Sequence, residues 1–383
     1  MSSAKHIVII AGEESGDMHA AVLIQQLRAW DNNLIISGIG GRHMQEAGVQ
    51  LISDLARFGV TGLSEVIRHL RVIKKAFKAI KAHLQTVKPD LLILVDYPGF
   101  NLRLAKFAKK KLGIRILYYI SPQIWAWKAN RIETIRACVD HMAVILPFEK
   151  TLYQQAGVPV SFVGHPLVDK ILPYTDIKTI RENLNLPAEK RLIAMLPGSR
   201  NNEIERHMPV LLATAEMLSQ QQDNIHFVIP IAGSLNPTLV KNYFAKSKVG
   251  VSFIPGHARE VIACSDCAVV ASGTASLECA LLEKPMCIIY KSSMISYIAA
   301  MKLIKVKYLG LCNLLQNEMV VPELLQYDCN ATELTRTLSE LLIDTEVKER
   351  MLRRLKHLKI SISSEQADCS LLTLVKAEIN HSA

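Results

Sequence analysis

An anion site needs a close-approach backbone, unpaired amides and a charged donor, and Leu196-Pro197-Gly198-Ser199-Arg200 has the residues for all three. The stretch follows the apolar run Leu192 to Met195 and opens a polar, helix-compatible segment at Asn201. Glycine admits a ligand against the main chain, the first amides of a helix lack partners, and arginine adds a two-pronged donor. A second turn of the same kind, Ala271 to Glu278, follows the short run Cys267 to Val270 and offers Gly273, Thr274 and Ala275. Two anion-competent turns in one half of the chain fit a nucleotide diphosphate. Glu278 then falls about one helical turn inside the second helix, within reach of ribose hydroxyls. Each turn alone is equally readable as a plain strand-to-helix junction with an N-cap. Neither is a P-loop, and neither carries the Gly-x-Gly-x-x-Gly dinucleotide fingerprint.

Carboxylates mark the first half. Gly12-Glu13-Glu14-Ser15-Gly16-Asp17 follows an apolar strand, and its acidic side chains repel phosphate while accepting hydrogen bonds from sugar hydroxyls. Helix capping by Ser15 or Asp17 is the alternative. Val95-Asp96-Tyr97-Pro98-Gly99-Phe100-Asn101 ends another apolar run. An aspartate at that end is costly to desolvate without a task, which makes Asp96 the candidate general base, with capping of the next helix as the competing account. Ser121-Pro122-Gln123-Ile124-Trp125-Ala126-Trp127-Lys128 places polar side chains beside two indoles. They suit a sugar ring or an amide, or else the tryptophans are packing anchors.

Positioning these loops calls for alternating strands and helices. Apolar runs His6 to Ala11, Leu34 to Ile39, Leu91 to Val95, Arg115 to Tyr119 and Met142 to Leu146 alternate with amphipathic segments such as Met18 to Trp30, Val66 to Val87 and Leu102 to Leu112. The second half repeats the scheme with Leu192 to Leu196, His226 to Ile229, Val251 to Ile254, Cys267 to Val270 and Met286 to Tyr290. That order predicts an α/β chain of two Rossmann-like domains with parallel sheets and ligands beyond the carboxyl ends of the strands, facing each other across a cleft. The expected division is 1–168, 169–330 and a helical segment 331–383 that packs back on the first domain or on a partner chain.

At 383 residues the chain is long for one core. Its formal net charge of +10 calls for an anionic partner, whether phosphorylated substrate or acidic bilayer surface. No zinc-knuckle or RRM-type signature supports nucleic acid. The basic, amphipathic segment Val66 to Lys81 and the run Met294 to Tyr308 suit either a bilayer surface or ordinary packing. No signal-peptide pattern or membrane-spanning stretch is visible, so the expected location is the cytoplasm and the eight cysteines are expected as free thiols. Cys264-Ser265-Asp266-Cys267 has redox-motif spacing but leads into a strand, which favours buried thiols over a metal site.

Taken together, Gly12 to Asp17, Ser121 to Trp127, Leu196 to Arg200, Ser272 to Glu278, and Asn313-Leu314-Leu315 with Val321 to Gln326 resemble the lipid-A-disaccharide synthases. The resemblance implies a GT-B glycosyltransferase, cytoplasmic and peripheral on the inner membrane of Gram-negative bacteria. The implied reaction joins UDP-2,3-diacylglucosamine to 2,3-diacylglucosamine 1-phosphate (lipid X) and releases UDP and a β(1→6) disaccharide. Asp96 matches the family's base. Gly198, Ser199, Arg200, Gly273, Thr274, Ala275, Glu278, Asn313 and Glu323 are assigned to UDP, and Glu13, Ser15, Gly16, Asp17, Asn101, Gln123 and Trp125 to the acceptor sugar. No cofactor and no metal are expected, since no Asp-x-Asp motif is present, and a homodimer is open. Ala20, Lys128 and Cys312 depart from the family's usual glycine, arginine and proline. Two alternatives stand beside this reading. One is another GT-B enzyme using UDP-N-acetylglucosamine, either an epimerase or a transferase, and the other is a non-catalytic, nucleotide-binding protein of the membrane surface with phospholipid as its partner.

Overall fold

A computed structural model describes residues 4–55, 63–126, 130–171, 174–293, 297 and 306–380. The chain forms two compact units, Met1–Pro166 with Ile362–Ala383, and Leu167–Ser361.

The first unit holds a seven-stranded sheet of β1 (His6–Ala11), β2 (Ile35–Gly40), β3 (Gln50–Asp54), β4 (Leu91–Val95), β5 (Ile116–Tyr119), β6 (His141–Val144) and β7 (Val160–Phe162). Its order is β3-β2-β1-β4-β5-β6-β7, and every pairing is parallel. The connections are α1 (Glu14–Trp30), α2 (Arg42–Glu46), α3 (Leu63–Val87), α4 (Pro98–Phe107), α5 (Arg131–Cys138) and α6 (Pro147–Gln155). Buried side chains cover both faces of this sheet, as its near-continuous apolar strands require.

The second unit begins with α7 (Ile177–Asn183) and holds β8 (Arg191–Leu196), α8 (Asn201–Gln221), β9 (Ile225–Ile231), α9 (Pro237–Asn242), β10 (Val251–Pro255), α10 (Ala258–Cys264), β11 (Cys267–Ala271), α11 (Thr274–Leu281), β12 (Met286–Tyr290), α12 (Leu311–Gln316) and β13 (Glu323–Leu325). Its sheet runs β10-β9-β8-β11-β12-β13, again wholly parallel. The helical end of the chain is split. Helices α13 (Ala331–Ile343) and α14 (Thr345–Ser361) pack on α8 and α11 of the second unit, so the expectation that all of 331–383 leaves it is corrected. Their buried leucines, Leu334, Leu338 and Leu355, need that apolar cover. Only the last helix, α15 (Leu371–Asn380), belongs to the first unit, where it packs on α1 and its Glu378 accepts from Arg115 Nε at 2.6 Å.

Both sheets change direction once. The chain runs outward from β1 to β3 and returns to β4 beside β1; it runs outward from β8 to β10 and returns to β11 beside β8. Loops leaving neighbouring strands part at such a point and open a crevice at their carboxyl ends. The acidic loop after β1 and Asp96 after β4 flank the first crevice, and the two glycine turns after β8 and β11 flank the second.

The strands' amino ends are fastened by one repeated device. Asp90, Asp140 and Asp266 each accept the amide of a residue at or next to a strand's start, His6, Ile116 and Leu192, each at 2.8 Å; Asp368 does the same at the far end of β7, accepting from Phe162 at 2.8 Å. Each also meets a cation, Lys5, Lys109, Arg181 or Lys150. Entry to β1, β5 and β8 is thus charged and paired, and of the exits only that of the edge strand β7 carries the device among the described residues.

Candidate active site

Asp96 and Tyr97 leave β4 in the left-handed region, with φ of 44° and 46°. Two such non-glycine residues in succession cost on the order of 1–3 kcal/mol each, so the surroundings must hold them. The buried Tyr118 hydroxyl donates to the Asp96 carbonyl at 2.6 Å, and Asn101 Nδ2 donates to the same oxygen at 2.7 Å and to the Val95 carbonyl at 3.1 Å. The Asp96 amide donates to the Tyr119 carbonyl at 3.0 Å. Gly12 completes the fit, because a Cβ there would lie 2.8 Å from Tyr97 Cγ. The turn presents a largely buried carboxyl whose pKa burial raises to about 6, with the charge of Glu13 adding to the rise and the Tyr97 amide opposing it. No ion pair to Asp96 is found among the described residues. Such a group is mostly ionised at neutral pH and poised to take a proton.

The other first-unit candidates divide. Glu13 and Ser15 are exposed at the start of α1, and Gly16 is buried there. Asp17 is not available to a sugar. It is fully buried, and it accepts the amides of Gly41 at 2.7 Å, His43 at 2.9 Å and Met44 at 3.2 Å, capping α2. Asn101 is likewise buried, its amide group spent on the turn carbonyls, so it positions Asp96 and does not reach for the acceptor. Gln123 is exposed. Trp125 is anchored, its indole N–H donating to Glu149 Oε1 at 3.1 Å and its ring set edge-on to Phe148. The sugar-platform expectation for Trp125 gives way to the packing one. Trp127 and Lys128 lie outside the described residues. So do 294–296 and 298–305 of the second amphipathic run.

Glu149 was not legible in the sequence. Burial raises its pKa to about 8, against hydrogen bonds from Trp125, the Leu146 amide and Ser121, so it stays mostly protonated at neutral pH. Ser121 Oγ meets the Tyr153 hydroxyl at 2.8 Å. The Ser121 to Trp125 loop is thereby pinned onto α6.

In the second unit the carboxyl ends of β8, β9, β10 and β11 line a cavity of about 760 Å³, in the range that takes a cofactor-sized ligand. Gly198, Ser199, Arg200, Gly273, Thr274, Ala275 and Glu278 all reach it. The α11 turn behaves as the sequence suggests: no side chain caps it, and the Thr274 and Ala275 amides have no acceptor among the described residues. The α8 turn does not. Glu203 Oε2 already accepts the Ser199 amide at 2.9 Å and the Arg200 amide at 3.3 Å, while Oε1 accepts Arg200 Nη1 at 2.9 Å. Gly198, at φ 119°, is required, since a Cβ there would lie 2.8 Å from that of Glu203. Buried His207 braces the turn, its Nδ1–H donating to the Pro197 carbonyl at 2.6 Å and its Nε2 accepting the Lys291 amide at 3.0 Å.

Arg259 is a further wall of the cavity that sequence reasoning missed. Its Nε and Nη2 both donate to Glu278 Oε1, at 2.9 and 2.7 Å, and both residues line the cavity. Asn313 and Glu323 are displaced from their expected role. Neither lines the cavity. Asn313 is fully buried and bonds the Val320 and Val321 amides, the Val321 carbonyl and Glu323; Glu323 also accepts the Leu309 and Gly310 amides. They tie α12 to β13, because a buried amide and carboxylate must spend their polar atoms internally.

Residues 7–379 match the lipid-A-disaccharide synthetase family (LpxB). The chain belongs to that family. It is 61% identical over 379 residues to lipid-A-disaccharide synthase 1 of Legionella pneumophila strain Philadelphia 1, covering 99% of each chain. To the lipid-A-disaccharide synthase of Coxiella burnetii strain Dugway it is 39% identical, covering 93% of this chain and 94% of that one. Solved structures with the same fold include the calicheamicin glycosyltransferase CalG4, at TM-score 0.60 and 15% identity with all of both chains covered. The UDP-GlcNAc 2-epimerase of Neisseria meningitidis bound to UDP-GlcNAc has TM-score 0.60 and 14% identity, covering 92% of this chain and 98% of that one. The synthase family thus shares the GT-B architecture of two parallel α/β sheets. Among the described residues no helix of this synthase-family chain is long and apolar enough to cross a membrane. All eight cysteines are free, seven of them buried.

Proposed function

We propose that this synthase-family chain makes the disaccharide of lipid A by inverting transfer of 2,3-diacylglucosamine from UDP to the 6-hydroxyl of lipid X. Retention of an α linkage would need two displacements, whereas α donor to β product needs one, with a base on the acceptor hydroxyl and charge growing on the departing diphosphate. Asp96 is that base. Its carboxylate takes the 6-hydroxyl proton as the oxygen attacks the anomeric carbon, and the carbon–oxygen bond to UDP breaks with the electron pair leaving on the diphosphate. The Thr274 and Ala275 amides with Arg200 stabilise that charge, and Glu278 accepts from the ribose. Glu13 and Ser15 are the remaining acceptor-side groups, with Gln123 beyond them.

The observation that supports this mechanism best is Asp96 itself, a part-buried carboxyl raised to about 6 on a strained turn at the end of a central strand. The donor and acceptor are amphiphiles, so the enzyme works at the inner-membrane surface on its cytoplasmic side, where a net charge of +10 favours anionic lipid. Incubation with UDP-2,3-diacylglucosamine and lipid X in detergent, followed by mass spectrometry, tests the reading. Disaccharide 1-phosphate with stoichiometric UDP is expected; transfer from unacylated UDP-N-acetylglucosamine at a comparable rate would sink it.

A further inference from the structure

The α8 turn, which by residue type is the stronger anion site, already holds an anion of its own. Glu203 satisfies two amides and one guanidinium nitrogen that a phosphate would use, and its carboxylate lines the same cavity as the uncapped start of α11. The geometry points to Glu203 as an internal competitor for the donor's diphosphate, a positioning residue that yields the Ser199 and Arg200 donors when the donor seats and reclaims them as UDP leaves. This rests on the reading of the cavity as the UDP site.

Three observations carry it. A capping carboxylate at the third helical position ordinarily stabilises the helix start, but here it occupies a cavity wall and not bare surface. A diphosphate brought to the Thr274 and Ala275 amides meets a second negative group on that wall, and like charges in a part-dry cavity disfavour each other. Arg200 is well exposed apart from its single bond to Glu203, so its guanidinium can turn from carboxylate to phosphate without leaving the cavity rim. The exchange conserves the number of charge-assisted bonds on the α8 turn. It therefore tempers UDP affinity and leaves the helix start paired after product release.

The test is UDP binding by calorimetry to wild type and Glu203→Gln, with steady-state rates alongside. Glutamine still accepts from the amides, so helix and fold persist, but it lacks the charge that competes. Binding of UDP about tenfold tighter is expected, with stronger product inhibition and with kcat and the donor KM falling together. Unchanged or weaker UDP binding would make Glu203 a helix cap only and overturn the inference. Glu203→Asp, which keeps the charge but shortens the reach to Ser199, is the second variant and is expected to tighten UDP binding as well. Thr274→Pro separates this proposal from the cavity reading, because proline at the first helical position deletes one amide donor without breaking α11. Weaker UDP binding by Thr274→Pro upholds the cavity; no UDP binding by wild type would bring down cavity and competitor together.

Discussion

Strand β4 carries an aspartate at each end, and the two have opposite fates. Asp90, before the strand, is pushed up by burial, but the His6 amide and the Lys5 ammonium more than offset this and hold it below its ordinary value. Asp96, after the strand, gets burial and the charge of Glu13 with only one opposing amide, and rises to about 6. Five residues of sequence separate a carboxylate that fastens the sheet from one placed to accept a proton. Position along a parallel strand decides which is which, since the amino end is closed by pairing and the carboxyl end opens at the switch point. Asp140 and Asp266 repeat the Asp90 arrangement, so the exception at Asp96 is the informative one.

The comparison breaks most visibly at Asp96. Asp96→Asn is expected to lower kcat about 10²- to 10⁴-fold with UDP affinity unchanged, checked by rates and calorimetry. In wild type, kcat/KM should fall as pH drops through about 6, because the base is lost on protonation, and this acid limb should vanish from the residual activity of the variant. Stability moves the other way. A carboxyl whose folded pKa is raised stabilises the fold most when protonated, below its unfolded value, and that stability is lost as pH rises through about 6. Asp96→Asn should therefore be more stable than wild type at pH 8, by on the order of 2 kcal/mol in denaturant titrations.

Arg200→Ala comes next, with UDP affinity or donor KM worse by about tenfold or more if a charged hydrogen bond is lost. Tyr118→Phe removes the hydroxyl that fixes the Asp96 carbonyl and should cost about tenfold in kcat with little change in donor KM. An unaltered rate would show that Asn101 alone suffices to hold the turn. The smallest effect is expected at Asp90. Asp90→Asn should destabilise by about 1 kcal/mol near neutral pH, with the difference vanishing as pH falls below the ordinary carboxylate range, and leave kcat alone. A large loss of activity there would erase the contrast between the two ends of the strand.

Central strands were legible because they are buried on both faces and read as unbroken apolar runs; β4 and β12 were expected with the bounds observed. The three strands that escaped, β3, β7 and β13, are all half-covered sheet edges, β7 and β13 only three residues long, and Gln50 or Glu323 breaks the apolar signal. The loops that carry chemistry were legible as loops. What their side chains do was less so. Asp17, Asn101, Trp125, Asn313 and Glu323 look like ligand contacts by type and place, yet each makes its side-chain hydrogen bonds inside the protein, Asn101 through its nitrogen. Glu203 drew no role from the sequence, and only the structure shows it capping α8 beside the cavity.

By itself the sequence determined the alternation of strands and helices, the two switch points' glycine and acidic turns, and the family, because these depend on local pattern and residue order. Tertiary structure decided which polar groups remain unspent. Hydrogen-bonding capacity is exhausted by neighbours from distant parts of the chain, so an aspartate on a page has no role until its partners are counted: Asp90 found Lys5 and His6, Asp17 found the α2 amides, and Asp96 found burial and another negative charge, with one local amide against them.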